Sequence, residues 1–351
     1  MKGLRLYLPP FAPDDSGAAG VLHNLKAMTV IIDAGGCAGN ILGFDEPRQT
    51  SSAVFSAGLR DMDAILGRDD NLIEKISLAI QTFSPKFIAL VGTPVPAVIG
   101  TDYFALCRII ENKLNIPAIA IDTDGTKLYD DGMSKTYLAL FKKFAKKRVK
   151  KANYIGILGA SHFDFSQDML LETFNLLYGE YDKVYVYGLD KSVQSFKNAG
   201  KVVKNIVVSA SGLAAAKYLK QEFDIPFEIE YRFAKDELLN LLPITNNILS
   251  ETSPKILIIH EQFHANALRD ELKKLLPKAN VGVGSWFMSH KEYMEENDVC
   301  LSEEDEFIKY VKSQDFDAIF ADKLFLRALP FYEKEFIPLH HFAVSGQWKY
   351  C

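Results

Sequence analysis

The sequence has few cysteines, and none lies close to another. Its 351 residues include four, at Cys37, Cys107, Cys300 and Cys351, with no CxxC pair and no histidine at zinc-ligand spacing. Structural zinc sites pair their ligands along the chain, so this spacing argues against one. Cytosolic thiols are normally reduced, and we therefore expect no disulfides.

The common nucleotide-binding and serine-nucleophile motifs are also missing. No GxGxxG follows a predicted strand, and neither GxxxxGK[ST] nor GxSxG occurs. Loops of these kinds cradle phosphates or present a serine in many α/β enzymes. We therefore expect no nucleotide to be bound by this chain, and any ATP that drives its reaction to be hydrolysed on another protein.

The chain lacks both a positive net charge and long hydrophobic runs. The formal net charge is −5, whereas nonspecific binding of nucleic acid needs a basic surface. The longest apolar runs have the length of a strand and end at Gly, Pro or charged residues, so none predicts a membrane-spanning helix. The first residues also do not lead into a signal-peptide core. We expect a cytoplasmic protein with no nucleic-acid or membrane partner.

What the chain does contain is a repeated alternation of strand-like and helix-like segments. Strands are predicted at 29–32, 87–91, 118–121, 154–158, 183–187, 205–209, 255–260 and 318–321. Such alternation predicts parallel sheets with helical crossovers. We predict an α/β protein of three doubly wound Rossmann-like domains around a central cleft. Their predicted limits are 1–150, 151–250 and 251–351.

Cys37 is the most informative single residue, because it follows an apolar run and two glycines. The run Thr29 to Ile32 predicts a buried strand, and Gly35 and Gly36 predict a sharp turn after it. The thiol then lies at the carboxyl end of a strand, where open α/β sheets bind ligands. A cysteine at such a position is either a small buried hydrophobe or a ligand.

Several segments, taken in order, resemble the nitrogenase component 1 family. They are a Pro-rich stretch and small-residue helix at 8–22, the Gly-Gly-Cys loop, FIALVGTPVPAVIGTD at 87–102, IPAIAIDTDG at 116–125 and ANYIGILG at 152–159. The family includes the nitrogenase molybdenum-iron protein, its cofactor-assembly scaffold and the dark protochlorophyllide and chlorophyllide reductases. The resemblance implies three Rossmann-like domains whose cleft holds a substrate or metallocofactor. It also implies an iron-sulfur ligand at Cys37, with Gly35, Gly36 and Thr93 as its cofactor-binding neighbours.

The chain departs from the family at the other cluster ligands. Members that hold a cluster through three cysteines of one subunit carry a second cysteine downstream and a third in the loop that here reads VGTPV. Neither is present. The resemblance then implies a 4Fe–4S cluster shared with a homologous component 1-like subunit. An unlike partner is favoured, and in a symmetric dimer a second Cys37 with water, substrate or carboxylates such as Glu46 would complete the ligands.

The activity that the resemblance implies is that of a two-component, ATP-dependent reductase. An iron-protein-type ATPase would pass electrons through the cluster to a small molecule. The stretch 231–248, where nitrogenase anchors its cofactor on a further cysteine, contains none, so a tetrapyrrole-type substrate is favoured over dinitrogen. The alternative, favoured by the missing cysteines, is a non-catalytic scaffold or binding protein for a metallocofactor or tetrapyrrole.

Polar residues that follow two predicted strands are candidate catalytic groups of the cleft. His162 follows the strand at 154–158, and Glu261 and His264 follow the strand at 255–260. Histidine transfers protons near neutral pH or binds metals, and a carboxyl group can act as acid or base. The letters HEQFH at 260–264 fit the HExxH pattern of zincins, but that motif needs both histidines within one helix, and here it begins at a strand end. Such residues more often cap the following helix.

Overall fold

The computed structural model describes residues 5–46, 53–60, 62–63, 69–147, 152–161, 173–241 and 252–347. Their strands form three separate sheets, and all strand pairs within these sheets are parallel. The predicted α/β class with parallel sheets is confirmed. Each sheet with the helices around it is called a unit below.

The first unit contains a four-stranded sheet in the order β2-β1-β3-β4. Its strands are β1 (Ala27–Ile31), β2 (Ala53–Ser56), β3 (Phe87–Val91) and β4 (Ala118–Ile121). Every residue of β1 and β3 is buried, as expected where helices cover both faces of a parallel sheet. Its helices are α1 (Asp14–Leu22), α2 (Gly36–Asn40), α3 (Asp69–Phe83), α4 (Pro94–Ile99), α5 (Tyr103–Leu114) and α6 (Tyr129–Phe144).

The second unit contains a four-stranded sheet in the order β6-β5-β7-β8. Its strands are β5 (Tyr154–Leu158), β6 (Lys183–Val186), β7 (Val202–Val207) and β8 (Phe227–Ile229). Its described helices include α7 (Gln194–Lys197) and α8 (Leu213–Phe223), and a 3₁₀ turn, Ala210–Gly212, leads into α8. This turn contacts the third unit at the central cleft.

The third unit contains a five-stranded sheet in the order β11-β10-β9-β12-β13. Its strands are β9 (Lys255–Ile259), β10 (Asn280–Ser285), β11 (Val299–Cys300), β12 (Ala318–Ala321) and β13 (Glu335–Pro338). Its helices are α9 (Ala234–Leu241), α10 (Gln262–Leu275), α11 (Glu304–Gln314) and α12 (Phe342–Ser345). Helix α9 packs on α10 and on the third sheet, although the predicted limits assign it to the middle domain. Those limits stay predictions.

Helices α1 and α6 cross at the centre of the molecule, and glycines allow their close approach. All nine residues of α1 are buried. A Cβ added to Gly17 would lie 1.8 Å from the Tyr129 carbonyl oxygen, and one added to Gly132 would lie 1.7 Å from the Asp14 carbonyl oxygen. Only glycine fits at such a crossing. Helix α6 also packs on α8 and on the 3₁₀ turn, so it joins the first unit to the second.

Aromatic side chains fill the interfaces that the first unit forms with the other two. Phe141 lies 4.8 Å from the rings of Tyr187 and Phe196 in the second unit. Phe11 lies 5.5 Å from the Trp286 ring in the third unit. One apolar core therefore extends through all three units. Within the described ranges, no helix combines the length and apolar composition that crossing a membrane requires.

Candidate functional site

The first candidate site is the Gly-Gly-Cys loop just past the end of β1. Gly35 has a φ of 116°, in the region that glycine adopts without strain. The buried Asp33 carboxylate holds the loop, since it accepts hydrogen bonds from the Ala38 N–H at 2.8 Å and from the Ser56 hydroxyl at 2.6 Å. A short helix, α2, therefore starts directly after the turn and carries Cys37 in its first residues.

The Cys37 thiol is half-buried and packs partly against the apolar core. Burial raises its pKa, the Asp15 and Asp33 carboxylates raise it further, and a hydrogen bond with Thr93 acts in the opposite direction. Because the thiolate is the nucleophilic form of cysteine, a raised pKa makes the free thiol less reactive.

The loop after β3 lies beside the loop after β1 and closes this site on one side. The Thr93 hydroxyl donates to the Ile32 carbonyl at 2.8 Å, and its contact with the thiol follows from that position. Gly35 and Gly36 are exposed, and a Cβ added to either would meet no heavy atom of the described residues within 4 Å. The structure therefore places all four cofactor-binding candidates of this loop together, with open space over the glycines.

Helix α4, the start of α5 and the helical turn Ile41–Asp45 also expose apolar side chains, here called the apolar rim. The exposed fraction reaches 72% for Phe44, 87% for Val98 and 82% for Phe104. The rim consists of Leu42, Phe44, Val95, Val98, Ile99 and Phe104. Clustered exposed apolar side chains are typical of interaction surfaces.

The donor set around Cys37 fits one ligand of a shared cluster and not a complete cluster. In the part of the chain that the structure describes, no three His, Cys, Asp or Glu side chains are grouped so that they could hold a metal. An iron-sulfur cluster takes four ligands, mostly thiolates, and Cys37 offers one. Glu46, the carboxylate that the sequence suggests as a further ligand, is buried 3.8 Å from the His23 ring nitrogen.

The second candidate site lies where the carboxyl ends of β5, β7 and β9 meet. It contains a cavity of about 20 Å³, which is the room of roughly one water molecule. Side chains from all three units line it, among them Tyr129, Met133, Phe174, Tyr231, His260 and His264.

Glu261 lies in this cleft, and its carboxylate is bonded to backbone N–H groups. One oxygen accepts from the N–H groups of Phe263 at 3.1 Å and His264 at 3.0 Å, which caps α10. The other accepts from the Ala210 N–H at 2.7 Å, in the 3₁₀ turn of the second unit. Burial raises the pKa of Glu261 to about 7, although these N–H groups and His264 act to lower it.

His264 stands at the centre of a group of rings. Its Nε2 is hydrogen-bonded to the Glu237 carboxylate, and the Tyr231 ring stacks on it at 4.3 Å. The His260 ring lies 4.0 Å from that of His264 and 4.3 Å from that of His341. The structure thus brings Glu261 and His264 together, whereas His162 lies outside the described residues.

Sequence reasoning missed His341 and Glu237. His341 follows β13, an edge strand that the pattern did not predict, and Glu237 lies on α9 with no local feature that marks it. His341 is buried and stacks on Phe287 at 4.4 Å, and among the described residues neither ring nitrogen has a hydrogen-bond partner. Burial, with His264 and His340 nearby, lowers its pKa to about 3. The imidazole is therefore neutral.

Three parallel-sheet units surround a cleft, and a Gly-Gly-Cys loop lies at the edge of the first sheet. The family model described as "Nitrogenase component 1 type Oxidoreductase" matches residues 15–233. The chain belongs to the nitrogenase component 1 type oxidoreductase family.

Two curated relatives are nitrogenase iron-molybdenum cofactor biosynthesis proteins NifE. That of Clostridium pasteurianum is 29% identical over 245 residues, which cover 66% of this chain and 53% of the relative. That of Klebsiella pneumoniae is 30% identical over 97 residues, which cover 26% of this chain and 21% of the relative. The chain therefore spans about half the length of the first and about a fifth of the second.

Solved structures extend the similarity of fold to nearly the whole chain. The structure titled "Nitrogenase Cp1 at pH 6.5" has a TM-score of 0.74 at 12% identity, and the match covers 97% of this chain and 87% of that one. "Nitrogenase Cp1 at pH 5" has a TM-score of 0.68 at 14% identity, with 97% and 85% covered. At these identities the comparison establishes the fold alone.

Proposed function

We propose that this chain is one subunit of a component 1-like assembly in which Cys37 supplies one ligand of a 4Fe–4S cluster shared with a homologous subunit. The position of the thiol carries this proposal. Cys37 is half-exposed on a glycine turn with open space above the glycines, at the same sheet edge as the apolar rim. A partner that covers the rim would bring its own ligands to the exposed side of the thiol.

The reaction proposed for the assembly is the reduction of a small molecule. A bound cluster supplies one-electron transfer, with electrons from an iron-protein-type ATPase reductase in the cytoplasm. A tetrapyrrole-type substrate is favoured over dinitrogen, since the described stretch 231–241 offers no cysteine that could anchor a further cofactor. Membership of an oxidoreductase family supports the reduction.

In the cleft, His264 is the residue best placed to hold and deliver a proton. Its ring lines the cavity and is hydrogen-bonded to Glu237, an arrangement that orients the imidazole and stabilises its charged form. Glu261 is less suited to move a proton, because three backbone N–H groups already engage its two oxygens. A catalytic role for His162 stays a prediction.

Anaerobic purification with iron and sulfide analysis tests the cluster. The protein is purified alone and with a co-expressed homologous subunit. We expect the preparation with the partner to be brown, and we expect Cys37→Ala to remove both its colour and its iron. Cys300→Ala is the matched control, because Cys300 is an exposed thiol of the third unit and its loss should leave the iron content unchanged. Iron-free wild-type protein under all these conditions would overturn the proposal.

A second candidate function is that of a scaffold that carries a metallocofactor or tetrapyrrole without turnover. The similarity to NifE proteins, which are named for cofactor biosynthesis, favours it. A ligand that binds only the native state raises the apparent melting temperature. A thermal shift with such a ligand, without turnover when the reductase component is added, would support the scaffold over the reductase.

A further inference from the structure

The seam between the second and third units combines one ring stack, Tyr231 on His264, with hydrogen bonds. The first unit meets the second through Phe141, Tyr187 and Phe196, and the third through Phe11 and Trp286. Hydrogen bonds also link the second and third units. Glu261 accepts from the Ala210 N–H, and the exposed Lys217 side chain donates to Glu292. Both Lys217 and Glu292 are about half exposed, and such pairs contribute little.

We propose that Glu261 is a latch that holds the third unit against the second and keeps the central cleft closed. Its carboxylate bonds to both units at once, through Phe263 and His264 in α10 and through Ala210 across the seam. Glu261 and Ala210 are both buried. No water reaches the Ala210 N–H when the seam is closed, so that donor depends on the carboxylate.

The position of this carboxylate in the second unit also indicates what it replaces. The 3₁₀ turn lies at the carboxyl end of β7 and leads into α8, which is where an open α/β unit offers backbone N–H groups to an anionic ligand. Glu261 of the third unit occupies this place. The Glu261 carboxylate therefore takes the position at which the second unit would otherwise bind an anionic ligand.

The small size of the cavity means that the latch would control the entry of ligands into the cleft. The cavity of about 20 Å³ is far below the roughly 300–1,000 Å³ of pockets that take small organic ligands. A ligand larger than water enters only after the seam separates and Glu261 leaves Ala210. This consequence for ligand entry rests on the proposed function, whereas the latch itself does not.

Two variants of the full-length chain separate the latch from the helix cap. Ala210→Pro removes the donor across the seam and places the proline ring against Glu261 Oε1, whereas the other carboxylate oxygen makes the cap of α10. Proline suits the first position of a helical turn, and Ser209 before it has φ −147° and ψ 161°, the extended backbone that precedes proline. Glu261→Gln weakens both functions, because its amide cannot accept all three hydrogen bonds.

Hydrogen–deuterium exchange measures the result. In Ala210→Pro, amides of the cleft segments 159–161 and 229–234 should exchange about tenfold faster, the factor expected for one lost hydrogen bond, while 263–266 stays protected. Asp102→Asn is the control: Asp102 caps α5 by accepting from the Ala105 N–H within the first unit, and its loss should not change exchange in the cleft. Unchanged exchange of both cleft segments in Ala210→Pro and Glu261→Gln would overturn the latch, and this outcome is independent of any cluster or substrate.

Discussion

At the scale of single residues, buried carboxylates that accept from backbone N–H groups fix the loops around both candidate sites. Asp33 does so for the Cys37 loop, and Glu261 for the cleft. Asp130 does so between the first and third units, where it accepts from the Met288 N–H, and burial raises its pKa to about 6. Charge-assisted hydrogen bonds of this kind fix loop segments that lack the regular backbone hydrogen bonds of a helix or sheet.

The environment of Cys37 predicts slow alkylation of the free protein. Because burial and two carboxylates raise the pKa of this thiol, iodoacetamide at pH 8 should label Cys37 more slowly than the exposed Cys300. Asp33→Asn removes one of the two charges and should speed labelling of Cys37, with Cys300 as the internal control. Peptide mass spectrometry measures both rates, and labelling of Cys37 ahead of Cys300 in the wild type would contradict this account.

The buried neutral His341 predicts a loss of stability in acid. Its native pKa of about 3 lies below the unfolded value of 6.5, so its stabilising contribution is present above pH 6.5 and is lost as the pH falls. At pH 5 the loss is about 2 kcal/mol in the free energy of unfolding. His341→Phe should keep the stacking on Phe287 without this loss. Urea unfolding should therefore show the variant gaining about 2 kcal/mol on the wild type between pH 8 and pH 5, and a difference independent of pH would contradict the assignment.

At the scale of elements, the sequence pattern located most strands inside the sheets and missed four of the six edge strands. The predicted strands at 87–91, 118–121, 154–158 and 318–321 coincide with β3, β4, β5 and β12. Strands β2, β8, β11 and β13 were missed because at most one residue of each is buried, which leaves a weak hydrophobic pattern. Strand β10 lies inside its sheet, but its two glycines weaken the strand signal. Gly282 is needed there, since an added Cβ would lie 2.9 Å from the Asn297 carbonyl oxygen.

The candidate site could be predicted from the sequence only where it is formed by residues close to one another in the chain. Cys37 lies on a turn after a buried strand, and an apolar run followed by two glycines is a local pattern. The partners of His264 and Glu261 are Glu237 and the Ala210 N–H, which lie far away in the sequence. No periodicity or turn chemistry encodes such pairs, because tertiary packing brings them together.

The crossing of α1 and α6 predicts an unusual response to alanine. Gly17→Ala would favour a helix in isolation, but here the new methyl group would lie 1.8 Å from the Tyr129 carbonyl and force the two helices apart. The variant should lose more than about 3 kcal/mol of stability or fail to fold. Gly39→Ala in α2 is the control, since a Cβ there meets no atom within 4 Å in the part of the chain that the structure describes. Thermal unfolding compares them, and equal melting temperatures would contradict the tight crossing.

At the scale of the whole molecule, the described residues combine a shared apolar core with an exposed apolar rim. Val98 and Phe104 are more than four-fifths exposed, at the sheet edge that carries the Cys37 loop. These side chains surround the proposed cluster ligand, and we therefore propose that the homologous subunit binds at the cysteine loop.

Charges placed in the apolar rim should prevent association with the homologous subunit. Val98→Asp combined with Phe104→Asp introduces two carboxylates into a surface that binding would dehydrate, which weakens the complex strongly. Leu78→Asp on α3 is the control, because Leu78 is 62% exposed and lies outside the rim. Size-exclusion chromatography with light scattering measures the complex. Association that survives the double variant would place the interface elsewhere.

The reduction potential of the shared cluster tests the central claim most directly. Replacing Cys37 by aspartate exchanges a sulfur ligand for an oxygen ligand, and ligand identity sets the potential of an iron-sulfur cluster. Electron paramagnetic resonance during a redox titration of the purified complex follows the cluster in wild type and Cys37→Asp. We predict that the variant has a shifted potential and an altered spectrum, or no cluster. A cluster with the same potential and spectrum in both proteins would contradict ligation by Cys37.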